Sequence, residues 1–272
     1  MSNLVIIDDA NYLEHVDAVL SDGHERARGL VARDYAANPI GSYGAARPFP
    51  AELLIPRSEW RDRLEQQKRD RARLIDVRNR GKDGEPIPAL DQDGKGYCWA
   101  HSSVSACLLA RAAQGEPWVD LSAFAVACII KGYRDQGGWG SQSLDFIATR
   151  GVPTSEFWPQ QSMSRANDNP RTWENAKLHR FTEWYDLESR NLDQFVSACL
   201  LGWPIVSDFN WWGHSVCTMC LETVGDKVAD LSTWILNSWS NGWSQHGAGI
   251  LKGSKALPDD ALACCVTTPS SK

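Results

Sequence analysis

The sequence lacks several features that would assign a chain to a broad class at once. No apolar run among its 272 residues reaches the length of about 18 that a membrane-spanning helix needs. A formal net charge of −6 argues against a surface for nucleic acid. The sequence also contains no internal repeat and no low-complexity tract. These absences leave a globular chain that forms one large domain, or one domain with an extension.

The segment after Met1 has neither the charged nor the apolar region of a signal peptide. We therefore expect synthesis in a reducing cytoplasm, where the eight cysteines remain thiols. Most of them lie in apolar runs, in which a reduced cysteine packs as a small hydrophobic side chain. One cysteine has a different setting.

Cys98 follows a glycine-rich loop in the segment DQDGKGYCWAHS that begins at Asp91. Residues 98–113 are apolar over most of the helix circumference, which predicts a central helix. Cys98 falls in its first turn, where the helix dipole and unpaired N–H groups favour a thiolate. Gln92 is placed to donate its side-chain amide beside the Cys98 backbone N–H. The loop therefore predicts an oxyanion-binding site for acyl transfer.

His214 and Asn237 supply the imidazole and the amide that such a nucleophile requires. His214 begins a predicted strand, and a second predicted strand ends at Asn237. Neighbouring strands would place the amide oxygen behind the ring and fix its tautomer, with Trp239 shielding the pair from water. His101, one helical turn after Cys98, is an alternative base.

These segments together resemble the papain family of cysteine peptidases, from about Asp76 to the C-terminus. The resemblance implies a Cys98 nucleophile, a His214 base and acid, an Asn237 orienter and a Gln92 oxyanion donor. It also matches Gly138 to the glycine whose backbone pairs with an extended substrate, and it implies no cofactor and no metal. We predict that substrate contacts six residues: Gly137, Gly138, Trp139, Trp212, Gly213 and Trp239.

The sequence departs from the family pattern at several positions. One family disulfide aligns with Lys95 and Asp135, for which we hypothesise an ion pair in place of the covalent link. Cys128 aligns with half of a second disulfide and lacks its usual partner. His101 is expected to occupy the family's aromatic position under the central helix.

The predicted fold class is α+β: a papain-like two-lobed fold with a helical lobe, an antiparallel strand-rich lobe and a cleft between them. Residues 76–272 are assigned to the catalytic domain and residues 1–75 to an N-terminal arm. Predicted helices span 98–113, 121–131, 141–150 and 191–201, and predicted strands span 204–209, 214–224, 233–238 and 248–252.

Residues 1–75 have two interpretations, an inhibitory propeptide or a permanent docking arm. Within them, residues 59–74 predict a mostly solvated helix that Ser58 could cap, with Glu59 paired to Arg63.

The predicted function is cysteine-type hydrolysis of peptide bonds, with a peptide or protein as substrate and no nucleic-acid or membrane partner. One alternative is a docking protein that keeps the fold and inserts residues 1–75 into a larger assembly, such as a virus particle. A second alternative is an amidase that acts on cell-wall peptides.

Overall fold

A computed structural model of the chain describes residues 3–16 and 26–268. Their strands form one eight-stranded mixed sheet in the order β1-β7-β6-β5-β4-β8-β3-β2. The strands are β1 Ile6–Ile7, β2 Ala46–Pro48, β3 Phe181–Asp186, β4 Ile205–Phe209, β5 His214–Thr223, β6 Ser232–Leu236, β7 Ala248–Lys252 and β8 Asp260–Thr267. The helices are α1 Tyr12–Val16, α2 Trp60–Arg69, α3 Leu74–Val77, α4 Cys98–Ala113, α5 Ala123–Lys131, α6 Gly140–Arg150, α7 Pro170–Ala176 and α8 Leu192–Leu200.

Helix α4 is the centre of the helical lobe. Every residue from Cys98 to Ala112 is buried, as its all-round apolar character predicts. The helix packs against α5 and α6 on one side and against β5 on the other. It therefore carries its first residue, Cys98, to the boundary between the two lobes, and the predicted helix over 98–113 is confirmed.

The strand-rich lobe is built on the antiparallel strands β4 to β7. Strand β5 pairs with β4 through His214 opposite Phe209, and with β6 through Cys217 opposite Leu236. The four predicted strands are confirmed with small shifts at their ends, as is the α+β class. Strands β1, β2 and β3 were not predicted; β1 and β2 are only two and three residues long, and β3 mixes buried with partly and fully exposed residues.

Both edges of the sheet come from the first 75 residues. Strand β1 pairs parallel to β7 with Ile6 opposite Ile250, and β2 pairs parallel to β3 with Ala46 opposite Trp184. These pairings satisfy main-chain groups that an edge strand would otherwise expose. The boundary near residue 75 stays a prediction, but the segment before it is part of the same sheet.

The helix predicted over 59–74 is interrupted. Helix α2 ends at Arg69, and α3 begins at Leu74 after Arg71 adopts a positive φ of 51°. The predicted Ser58 cap is wrong, because the residue before α2 is Glu59 and it makes no side-chain capping bond. The Glu59–Arg63 ion pair is confirmed at 2.7 Å. The expectation of a mostly solvated helix holds for the outer face alone, because Trp60 is buried in a core cluster with α8.

All eight cysteines are free. The hypothesised Lys95–Asp135 ion pair is wrong: Asp135 instead accepts a 2.7 Å hydrogen bond from the backbone N–H of Gly96, and no ion pair with Lys95 forms within the described residues. Within residues 3–16 and 26–268, the helices lack either the length or the apolar character to cross a bilayer.

Candidate active site

Cys98 lies at the start of α4 and is completely buried. One turn later, the hydroxyl of Ser102 shares a 2.7 Å hydrogen bond with that of Ser215, the residue after His214. This contact joins the helical wall to the sheet wall one helical turn after Cys98 and one residue after His214. The two walls of the cleft thus meet where the sequence predicted.

The imidazole of His214 is held by Asn237. Its Nε2 lies 2.8 Å from Asn237 Oδ1, which also accepts from the Ser238 backbone N–H at 2.7 Å. Because Oδ1 is an acceptor, Nε2 carries the proton. The Nδ1 atom then has the lone pair that a base needs, and within the described residues it makes no hydrogen bond.

Two tryptophans enclose the His214 ring. Trp239 stacks on it at a centroid distance of 4.6 Å and an interplanar angle of 21°, and Trp212 meets it edge to face at 4.9 Å. Trp212 is itself buried and stacked on Trp211. The prediction that Trp239 shields the pair agrees with this geometry.

The Gln92 amide has a fixed orientation. Its Oε1 accepts a 2.6 Å hydrogen bond from the Ser238 hydroxyl, and its backbone N–H donates to the Ser238 carbonyl at 3.0 Å. The Nε2 group therefore points the other way and donates to the carbonyl oxygens of Lys95 at 2.6 Å and Ala27 at 2.7 Å. The predicted oxyanion donor already binds a carbonyl of the same chain.

Residues 26–33, which we call the strap, occupy the cleft. Leu30 and Gly138 form an isolated parallel β-bridge: Val31 N–H donates to the Gly138 carbonyl at 2.8 Å, and Gly138 N–H donates to the Gly29 carbonyl at 2.9 Å. On the opposite wall, Leu30 N–H donates to the Gly213 carbonyl at 3.2 Å. The backbone groups predicted to bind a substrate are thus paired with the strap.

The strap also makes hydrogen bonds and a cation–π contact with residues of the cleft. Trp239 Nε1 donates to the Ala27 carbonyl at 3.1 Å, and the guanidinium of Arg26 lies over the Trp239 ring at 5.5 Å. Arg28 donates to the Trp212 carbonyl at 3.2 Å. At Gly29 a Cβ atom would lie 2.1 Å from the carbonyl oxygen of Gly96, so only glycine fits there.

Burial keeps the predicted catalytic pair uncharged. Burial raises the pKa of the Cys98 thiol to about 12, although backbone N–H groups of Ser215, Gly29 and Trp99 oppose the shift. Burial also lowers the pKa of His214 to about 3. Within the described residues, no hydrogen bond joins the thiol to His214. With the strap in place, the pair is a thiol and a neutral imidazole.

The other predicted residues lie on the cleft walls or behind them. A Cβ on Gly137 would come within 2.5 Å of the Gly29 carbonyl, so Gly137 also borders the strap. Trp139 is half-buried and donates to the Tyr43 hydroxyl at 3.0 Å. His101 is buried against Phe124, as expected for a packing position.

Two features of the site were missed from the sequence. One is the strap, whose course along the cleft depends on long-range pairing. The other is Asp208, a buried residue of β4 whose charge contributes to the raised pKa of Cys98. A carboxylate inside the apolar run PIVSDF was the available signal for Asp208.

Comparison with solved structures identifies two proteins of similar fold that cover most of the chain. No protein-family model and no curated protein matches the sequence. Digestive procathepsin L 3 from Tenebrio molitor aligns over 94% of this chain and 79% of its own, with a TM-score of 0.61 and 14% identity. Xylellain, a cysteine protease from Xylella fastidiosa, aligns over 94% of this chain and 100% of its own, with a TM-score of 0.60 and 15% identity. The chain therefore has the papain-like fold.

Proposed function

We propose that this protein is a papain-like cysteine peptidase whose nucleophile is Cys98. The observation that carries the proposal is a set of neighbouring contacts at the first turn of α4. The Cys98 thiol lies against the backbone N–H of Ser215, the adjacent His214 ring is held by Asn237, and the Gln92 amide is oriented by Ser238. An ordinary buried cysteine would need neither an imidazole with a fixed tautomer nor an oriented amide in its neighbourhood. The papain-like fold supports the same assignment.

The chemistry follows from these positions. His214 Nδ1 takes the proton of Cys98, and the thiolate attacks the peptide carbonyl carbon. Gln92 Nε2 and the Cys98 N–H stabilise the oxyanion of the tetrahedral intermediate. The imidazolium then protonates the leaving amine, which gives a thioester. Water, deprotonated by His214, attacks this acyl-enzyme and releases the acid and the thiol.

With the strap in the cleft, the enzyme is latent. The Ala27 carbonyl binds the Gln92 amide, and the strap pairs with Gly138 and Gly213. Substrate and strap would use the same donors and acceptors, so the strap must leave before turnover. The docking-protein alternative also predicts a filled cleft, so a filled cleft does not distinguish it from a latent peptidase. The two hypotheses differ in the reactivity that they predict for Cys98 once the strap is loosened.

The test loosens the strap and measures both reactivity and turnover. In Gly29→Ala, the added Cβ cannot fit beside the Gly96 carbonyl. We expect one adduct of an epoxide thiol-peptidase inhibitor on Cys98, found by peptide mass spectrometry, and cleavage of a mixed peptide library. Both should disappear in the double variants that add His214→Ala or Cys98→Ala.

If Cys98 of Gly29→Ala reacts with a generic alkylating reagent, but neither the epoxide nor the library gives a His214-dependent product, the peptidase assignment fails. Turnover of peptidoglycan fragments without turnover of proteins would select the cell-wall amidase instead.

A further inference from the structure

Arg33, the last residue of the strap, inserts its guanidinium into a buried group of carboxylates. Its side chain is 0% exposed. Both terminal nitrogens bind Asp186 at 2.8 Å, and Nη1 also lies 3.3 Å from Asp260 Oδ1. A two-pronged guanidinium–carboxylate contact of this kind combines charge with directional hydrogen bonds.

A third carboxylate, Asp208, adjoins this group. Asp208 and Asp260 are directly opposite in the β4–β8 register, so their side chains share one face of the sheet. One oxygen of Asp208 accepts from the Gly140 N–H at 3.0 Å. The Ser215 hydroxyl also interacts with the Asp208 carboxylate, and one oxygen of Asp260 is buried without a hydrogen-bond partner in the described part of the chain. Three buried carboxylates therefore face one guanidinium.

The acidic pocket, formed by Asp186, Asp208 and Asp260 around the Arg33 guanidinium, adjoins the cleft wall that pairs with the strap. Gly140, which Asp208 binds, follows Gly138 and Trp139 on the wall that pairs with the strap. In the β4–β5 register Asp208 lies opposite Ser215, the neighbour of His214. A side chain that reaches the pocket would thus belong to a peptide lying across the catalytic pair.

We infer that the acidic pocket is the subsite that binds an arginine or lysine side chain of the substrate, and that Arg33 is its intramolecular occupant in the latent form. This inference rests on the proposed peptidase function. When the strap leaves, the pocket loses its cation, and buried carboxylates without a counter-charge are strongly unfavourable. A cationic substrate side chain restores the ion pair, whereas a leucine side chain would leave the buried carboxylates without a counter-charge.

The first test is a positional-scanning peptide library assayed with full-length Gly29→Ala protein. At one position, arginine or lysine should be cleaved at least about tenfold faster than leucine or phenylalanine. Asp260→Asn and Asp208→Asn should reduce that ratio by about tenfold. Asp62→Asn, an exposed residue of α2, is the matched control and should leave the ratio unchanged.

A second test does not require turnover. Arg33→Ala empties the pocket of its guanidinium, so added propylguanidinium should raise the melting temperature of that variant by about 2–4 °C. Propylurea has a similar shape without the charge and should not do so, and wild-type protein should respond to neither. If Arg33→Ala does not fold, the double variant with Asp260→Asn removes one unpaired charge and carries the same comparison.

The outcomes separate the two proposals. Cys98-dependent cleavage without a preference for arginine or lysine would overturn the subsite and leave the peptidase standing. Equal effects of propylguanidinium and propylurea would also overturn the subsite, because the pocket would not select a cation. No cleavage in any variant would overturn the peptidase and the substrate assignment with it.

Discussion

Gln92 Nε2 donates a 2.7 Å hydrogen bond to the carbonyl oxygen of Ala27. The amide that we propose to stabilise an oxyanion therefore already binds a carbonyl from the N-terminal region of its own chain. The same relationship extends to Gly138 and Gly213, whose backbone groups pair with Leu30 and its neighbours. The strap therefore occupies the Gln92 amide and the backbone groups of Gly138 and Gly213, while His214 Nδ1 makes no hydrogen bond within the described residues.

Loosening the strap should expose Cys98. In Gly29→Ala, the Cβ would lie 2.1 Å from a backbone oxygen, a clash that only movement of the strap can relieve. We expect at least about a tenfold faster alkylation of Cys98, measured by peptide mass spectrometry over time. Gly44→Ala is the matched control, because a Cβ there meets nothing within 4 Å. Equal rates in the two variants would show that the strap does not limit access.

The pH dependence of Cys98 alkylation should differ between covered and open forms. Burial raises the pKa of the thiol to about 12 in the covered form, so its thiolate fraction grows with pH throughout the neutral range. We expect the rate for wild-type protein to rise about tenfold per pH unit from pH 7 to 9. In Gly29→Ala, water and His214 can stabilise the thiolate, which lowers the pKa. A flatter profile should result, and parallel profiles would contradict this account.

His214 should be essential for turnover, while the exposed His246 should not. Removing the base with His214→Ala in the Gly29→Ala background should lower kcat by at least about a hundredfold. His246→Asn is the matched control, because asparagine tolerates the positive φ of 51° at that position. Steady-state kinetics on one library-derived peptide would measure both. A similar loss in the two variants would remove His214 from its proposed role.

The acidic pocket should make stability fall as the pH rises. Burial and the nearby Asp208 raise the pKa of Asp260 to about 7, above its unfolded value near 3.8. The folded state therefore holds this proton more tightly, and the resulting stability is full below about pH 4 and is lost as the pH rises through about 7. Relative to wild type, Asp260→Asn should gain on the order of 1–4 kcal/mol between pH 4.5 and pH 8.

Urea unfolding of both proteins at the two pH values would measure this difference. Arg33, Tyr35 and Asp186 surround Asp260 in both proteins, so the comparison isolates its carboxylate. Relative stability that is constant with pH would show that Asp260 is ionised throughout the range.

Removing residues 1–75 as a unit should destabilise the fold. The deletion takes away β1 and β2, which cover both edges of the sheet, and the buried Trp60 of α2. We expect the fragment 76–272 to aggregate or to unfold at lower temperature, because exposed sheet edges promote association. Size-exclusion chromatography and thermal melting would test this. A monomeric fragment as stable as the whole chain would identify the segment as a separable propeptide.

The sequence by itself determined the local parts of the site. The apolar circumference of residues 98–113 predicted α4, because burial on all sides permits no polar face. The loop before Cys98 and the segments ending at His214 and Asn237 predicted the catalytic group, because each carries chemistry at an element terminus. Those signals are local. In the fold, His214 binds Asn237, Gln92 binds the adjacent Ser238, and the Cys98 thiol lies against the backbone of Ser215.

Only the tertiary structure decided what lies in the cleft and beside it. The strap and Gly138 are over a hundred residues apart, and their pairing is made of backbone hydrogen bonds that no side-chain pattern encodes. The acidic pocket likewise combines Arg33, Asp186, Asp208 and Asp260 from four separate segments. Isolated charges in a sequence predict solvent exposure, and only the fold shows that these charges are buried together and neutralise one another.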